Sequence, residues 1–119
     1  MINIAIVDDE IQITSMLEKF LQRNENYQIT VYNNPQTALA RISQETDIVL
    51  LDIMMPQMNG LDMLEKLKEK HPDINVIMMT AYSTLDKVLN SHRYGAVHYL
   101  MKPFDSLDAI SKKINEVTA

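Results

Sequence analysis

The stretch Ile48-Val49-Leu50-Leu51-Asp52-Ile53-Met54-Met55-Pro56 restricts what this chain can become more than any other. Four apolar residues follow one another with no polar alternation. That pattern predicts a strand buried on both faces. Pro56 has no N–H for a ladder, so the strand stops before it. Gly60 then opens an amphipathic segment. Asp52 is thereby expected at the carboxyl end of a central parallel strand, where open α/β sheets form their ligand crevice. A carboxylate there has a bland reading, as a helix-capping or loop acid, and a sharper one, as a nucleophile or metal ligand.

Other segments supply the neighbours of such a strand. Ile2 to Val7 reads as the first strand and runs into Asp8-Asp9-Glu10. Ile13, Met16, Leu17, Phe20 and Leu21 recur at helical spacing. Gln28 to Tyr32 alternates, with Ile29 and Val31 on one face and Thr30 and Tyr32 on the other, as an edge strand does. Asn34-Pro35 starts a second helix, with a cap residue and then proline in the first turn. Its inner stripe is Ala38, Leu39 and Ile42. Asp47 to Leu51 is the central strand. Leu61, Leu64 and Leu67 mark a third helix that stops before Pro72. Ile74 to Met79 is a fourth strand, ending at Thr80-Ala81. A weaker helix is predicted over 84–93, closed by Gly95. Ala96 to Met101 is a fifth strand, ending at Lys102-Pro103-Phe104. A last helix starts at Asp105 or Ser106 and buries Leu107, Ile110, Ile114 and Val117.

The pattern is therefore (βα)5 with short connections. Right-handed crossovers turn it into a doubly wound parallel α/β sheet with helices on both faces. An edge position for the second strand suggests the order 2-1-3-4-5, known from flavodoxin-like sheets and not dictated by the pattern itself.

The length, 119 residues, suits a single domain whose core needs no covalent staple. The absence of cysteine excludes disulfides, thiolate metal sites and cysteine nucleophiles. A net charge of -5 argues against a nucleic-acid surface. The apolar N-terminus is too short for a membrane span and lacks a basic lead, so no membrane contact and a cytoplasmic location are expected. Nine methionines are many, and most fall in apolar runs as gap-fillers. His71, His92 and His98 lie on different predicted elements, which argues against a histidine metal site.

The strand ends collect chemistry. The first gives Asp8 and Asp9, the third Asp52, the fourth Thr80 and the fifth Lys102. Singly, Asp9 reads better as a helix N-cap, Thr80 as a β-propensity choice and Lys102 as a surface charge. Jointly they form a coherent set. Two unit charges ~4 Å apart repel by about 4 kcal/mol at an effective dielectric of ~20, so three packed carboxylates call for a cation. All-oxygen donors select a hard ion, and a partly hydrated Mg²⁺ fits better than a closed cage. A metal beside Asp52 would neutralise an incoming phosphoryl group and leave a carboxylate oxygen free to attack. Thr80 can donate to a phosphoryl oxygen, and Lys102 can pair with another. Carboxylates do form aspartyl phosphates.

The pieces Val7-Asp8-Asp9-Glu10, Leu51 through Gly60, Thr80-Ala81-Tyr82, Gly95-Ala96 and Lys102-Pro103-Phe104 give the chain a specific likeness. It resembles a response-regulator receiver domain of two-component signalling, CheY-like and of the stand-alone chemotaxis type, over essentially all of residues 1–119. The resemblance implies that Asp52 is the phosphoacceptor. It implies that Asp9, Asp52 and the main-chain carbonyl of Met54 bind Mg²⁺ (or Mn²⁺) directly, and Asp8 through water. Thr80 and Lys102 would bind the phosphoryl group, the Lys102-Pro103 bond would be cis, and Tyr99 would be the switch aromatic beside Thr80. The implied partners are a sensor histidine kinase or phosphotransfer protein and a downstream target. That target would read a face made by the helix over 84–93, the fifth strand and the last helix. The protein would be a monomeric signalling switch, not an enzyme, although it promotes its own aspartyl phosphorylation and dephosphorylation. Gln57 stands where many relatives have glycine. Val88, His92 and Val97-His98 depart from the usual output face and leave the partner open.

Three rivals are weaker. A haloacid-dehalogenase-type phosphohydrolase resembles Asp-x-Asp at the nucleophile strand, but Met54 occupies the second acid's place and there is no room for a cap domain. A flavin carrier on the same fold needs a hydroxyl- and amide-rich phosphate loop, where Asp8-Asp9-Glu10 would repel phosphate. The third is the receiver domain of a longer, DNA-binding regulator. Val97-His98 matches poorly the charged pairs with which such relatives dimerise.

Overall fold

The computed structural model describes residues 1–53, 55–56, 58–81, 98–102 and 107–118, with the backbone alone at 80–81, 98–102, 107 and 109. Along the chain run β1 (Ile2–Val7), α1 (Ile11–Leu21), β2 (Tyr27–Tyr32), α2 (Pro35–Arg41), β3 (Ile48–Asp52), α3 (Gly60–Lys70), β4 (Asn75–Ala81), β5 (His98–Lys102) and α4 (Leu107–Thr118). The predicted helix over 84–93, the Gly95 turn and the Asp105 or Ser106 helix start lie outside the described residues. The strands pair in parallel in the order β2-β1-β3-β4-β5, the expected flavodoxin-like arrangement.

The apolar run forms the strand its composition demands, since every residue of β3 is buried. Alternation then sorts the sheet into two cores. On one face Ala5, Val7, Val49, Leu51, Val76 and Met78 pack with residues of α2 and α3. On the other Ile4, Ile6, Leu50 and Ile77 pack with Leu17 and Leu21 of α1 and with Ile110 and Ile114 of α4. Each fully buried aliphatic side chain contributes about 1.5–3 kcal/mol. Both layers are therefore needed to cover the sheet, and both depend on β3. β2 lies at the sheet edge, and its alternation behaves as predicted: Ile29 and Val31 join one core, Tyr32 the other.

Helix boundaries follow local chemistry. Asn34 Oδ1 accepts from the Gln36 and Thr37 N–H groups, and Pro35 fills the first helical position, as the sequence indicates. α3 ends at His71, whose N–H donates to the Leu67 carbonyl. The N-cap of α1 is Glu10, whose side chain makes no capping bond, so the helix-cap reading weighed for Asp9 alone does not hold. One detail of α1 differs from expectation. Its buried stripe is Thr14, Leu17 and Leu21, while Met16 is 37% exposed. Periodicity alone could not choose between adjacent positions, because Thr14 is polar and drops out of an apolar stripe. Among the methionines, Met55, Met63, Met78 and Met79 are buried as expected, whereas Met1 is exposed like Met16.

Tyr27, at the start of β2, donates its hydroxyl to Asn115 Oδ1 of α4 at 2.8 Å. Burial pushes its pKa above the ordinary value of 10.0, because a phenolate is poorly hydrated there. The neutral ring is therefore favoured by the fold. Its stabilisation is complete below the unfolded value and is lost as pH rises through the higher folded one. Urea unfolding should show a steeper loss of stability above about pH 10 in the wild type than in Tyr27→Phe. At neutral pH that variant should lose roughly 1 kcal/mol, the worth of one hydrogen bond.

Candidate functional site

The site begins with register. Val7 pairs with Leu51 across β1 and β3, so Asp8 and Asp52 lie one step further along adjacent strands. Alternation gives Asp52 the same side as Ile48 and Leu50, toward α1 and α4. Asp8 is 0% exposed and Asp52 3%, whereas Asp9 is half-buried and Glu10 exposed. One carboxylate oxygen from each of Asp8, Asp9, Glu10 and Asp52 falls within 4.8 Å of all the others. The three acids singled out from sequence are thus brought together. Glu10 is a fourth that the sequence reading left unassigned, although its place in the Asp-Asp-Glu run was the available signal.

Backbone bonds hold this arrangement. The Asp8 N–H donates to the Tyr32 carbonyl at 3.2 Å, extending the β1–β2 ladder past its end. The Glu10 N–H donates to Asp8 Oδ1 at 3.0 Å. On the other strand the Ile53 N–H donates to the Met79 carbonyl at 3.1 Å, and Gly60 closes the loop by donating to the Ile53 carbonyl at 2.8 Å. Asn59 Oδ1 accepts from the Leu61 N–H at 2.8 Å and starts α3 beside Asp52.

Backbone register places Thr80 opposite Met101, and Ala81 opposite Lys102, at the carboxyl ends of β4 and β5. Tyr99 pairs with Met78 one register earlier than Leu100 with Met79. The side chains of Thr80, Tyr99 and Lys102 lie outside the described residues, as do Met54 and Pro103 entirely. His71 is half-buried, and its Nε2 lies 3.1 Å from the Ile42 carbonyl, far from the acids in the fold. The side chains of His92 and His98 are outside the described residues.

Four clustered carboxylates are an all-oxygen donor set, which suits a hard divalent cation and no soft one. Carboxylate charges this close repel one another. Removing the half-exposed Asp9 should therefore stabilise the chelated protein. Screening limits the gain to roughly 1 kcal/mol, or about 3–5 °C in Tm for a chain of this size. Calorimetry of Asp9→Ala in chelator checks this, and an unchanged or lower Tm would mean that Asp9 does not crowd its neighbours.

Comparison with known proteins agrees with the geometry. Residues 4–115 match the family described as response regulator receiver domain. The DNA-binding transcriptional regulator NtrC of Salmonella typhimurium is 39% identical over 107 residues, 89% of this chain and 23% of its own length. The transcriptional regulatory protein ZraR of Klebsiella oxytoca is 35% identical over 119 residues, 99% of this chain and 26% of its own. The receiver domain of NtrX from Brucella abortus superposes with a TM-score of 0.88 at 26% identity, covering 96% of each chain. The chain thus spans about a quarter of the length of these curated relatives. No helix among the described residues is long and apolar enough to cross a membrane.

Proposed function

The chain belongs to the response regulator receiver domain family, and on that premise we propose that it is a phosphorylation-dependent switch with Asp52 as its phosphoacceptor. The observation that carries this reading is the convergence of Asp8, Asp9, Glu10 and Asp52 within 4.8 Å at the carboxyl ends of two adjacent central strands. Asp9 and Asp52 would hold Mg²⁺ with the Met54 carbonyl, and Asp8 would act through water. When bound, the ion neutralises charge on an incoming phosphoryl group. One Asp52 oxygen forms the bond to phosphorus as the bond to the donor breaks, and the electron pair leaves with the donor. With a phosphohistidine donor, the released imidazole takes up a proton. Lys102 and Thr80 receive phosphoryl oxygens, by charge and by hydrogen bond. The source is a sensor kinase or phosphotransfer protein.

The lengths of the relatives favour one form of this switch over another. Both are transcriptional regulators about four times as long as this chain. The receiver of a longer regulator is therefore better supported than the stand-alone chemotaxis type. In that form the phosphoryl signal is passed to an output domain, and nucleic-acid contact belongs to that domain and not to the acidic receiver. Tyr99 and the segment 84–93 would relay the signal.

The test is direct. Incubated with acetyl phosphate and Mg²⁺, the protein should gain one phosphoryl group per chain, labile to hydroxylamine as an acyl phosphate is. Peptide mass spectrometry should place it on Asp52. A phosphoryl group on serine, threonine or histidine, or labelling that ignores chelator, would overturn the assignment.

A further inference from the structure

Two asparagines follow β2, and only Asn34 caps a helix. Asn33 turns the other way. Its Nδ2 donates to the Asp8 carbonyl at 2.9 Å and to Thr14 Oγ1 at 3.0 Å. Both amide hydrogens are thereby used. Thr14 is 1% exposed, and its hydroxyl donates onward to the Ile11 carbonyl at 3.1 Å. A continuous path, Asp8 carbonyl to Asn33 to Thr14 to Ile11 carbonyl, therefore clasps the β1–α1 turn. That turn carries three of the four clustered acids.

We infer that Asn33 is a positioning residue for the divalent-cation site, fixing the β1–α1 turn in the geometry where the acids converge. The inference rests on reading the acid cluster as a Mg²⁺ site. A turn bearing three like charges lowers its Coulomb energy by swinging them apart. The bonds from the β2–α2 junction oppose that relaxation and preorganise the donors. A neutral amide suits the task. Lysine would bring a charge that competes with the cation, and aspartate has no proton to give the Asp8 carbonyl. The amide nitrogen points into the turn, so Asn33 acts through Asp8 and Thr14.

Mg²⁺ titration followed by the backbone amide NMR shifts of residues 8–11 tests this in five proteins: wild type, Asn33→Ala, Thr14→Val, the Asn33→Ala/Thr14→Val double variant and Asn34→Ala. Asn33 is exposed as a residue, so its alanine variant should fold. It should bind Mg²⁺ about tenfold more weakly, the lower end of what outer-shell partners of metal sites are worth. Thr14→Val should weaken binding less, and the double variant should be no weaker than Asn33→Ala, because both act on one path. Asn34→Ala uncaps α2 and should lower Tm while leaving Mg²⁺ affinity intact, which separates general loosening from positioning. Wild-type affinity in Asn33→Ala, or equal weakening in Asn34→Ala, overturns the inference alone. A wild type that shows no Mg²⁺-dependent shifts overturns the cation site and the inference with it.

Discussion

Asp52→Asn should take up no phosphoryl group from acetyl phosphate under conditions that label the wild type fully. The substitution is nearly isosteric at a position 3% exposed, so the strand can keep its place. What disappears is the nucleophile, since a neutral amide oxygen has no charge to donate and the amide nitrogen is not basic. The same change removes one charge from the cluster of four acids. In chelator the variant should therefore melt higher than wild type, by roughly 1–2 kcal/mol once the gross repulsion is screened. Mg²⁺ should then reverse the ranking. A ligand that binds only the native state adds about 2.7 kcal/mol at a hundred times its Kd, and the variant has lost part of the site. Differential scanning calorimetry with and without Mg²⁺ reads both signs. A variant that melts lower in both conditions would show that Asp52 stabilises the fold outright.

Gly60→Ala is expected to lower Tm by about 10 °C, and the sign is what makes the result informative. Gly60 is the first residue of α3, where helix propensity alone favours alanine by roughly 0.5–1 kcal/mol. The contact says the opposite. A Cβ at Gly60 would run into the Asp52 carbonyl oxygen and come within 2.6 Å of Ile53 Cα and 3.0 Å of the Asp52 carbonyl carbon. All three are backbone atoms, so no side chain can step aside. Overpacking of this kind costs about 1–3 kcal/mol or more, and about 3 kcal/mol corresponds to roughly 10 °C here. The strain falls on the backbone of Asp52 itself, so phosphoryl labelling should slow in protein that remains folded. A variant as stable as wild type would mean that the β3–α3 loop can shift freely.

The contrast between Asp52 and Gly60 shows how far the sequence could be read. The burial of β3, the edge position of β2 and the meeting of Asp8 with Asp52 follow from signals carried by short runs. These are apolar content, alternation, and acids placed just where a run ends. The close approach of Gly60 to Asp52 joins a helix start to a strand end, and no run of residues announces it. Asn33 is similar. Its neighbour Asn34 explained the presence of an asparagine, and only the β1–β2 register brings the second amide to Asp8. Asp9 does not cap α1, a place that Glu10 takes, and lies instead among the acids at the strand ends. Thr80, Tyr99 and Lys102 are legible as positions on β4 and β5, while their contacts rest on the family likeness.

The central pairing of β1 with β3 also bears on how the molecule comes to exist. Their first bonds join residues 44 apart, as between the Asn3 N–H and Asp47 Oδ2 at 2.7 Å. Closing so long a segment is an entropic barrier that must be crossed before any contact rewards it. Zipping the two strands then ends by bringing Asp8 against Asp52. Repulsion between acids that meet only at this last step speeds unfolding more than it slows folding. During synthesis the first strand has no central partner until the third has emerged, and a divalent ion that binds the finished acid pair would then prolong the life of the folded chain.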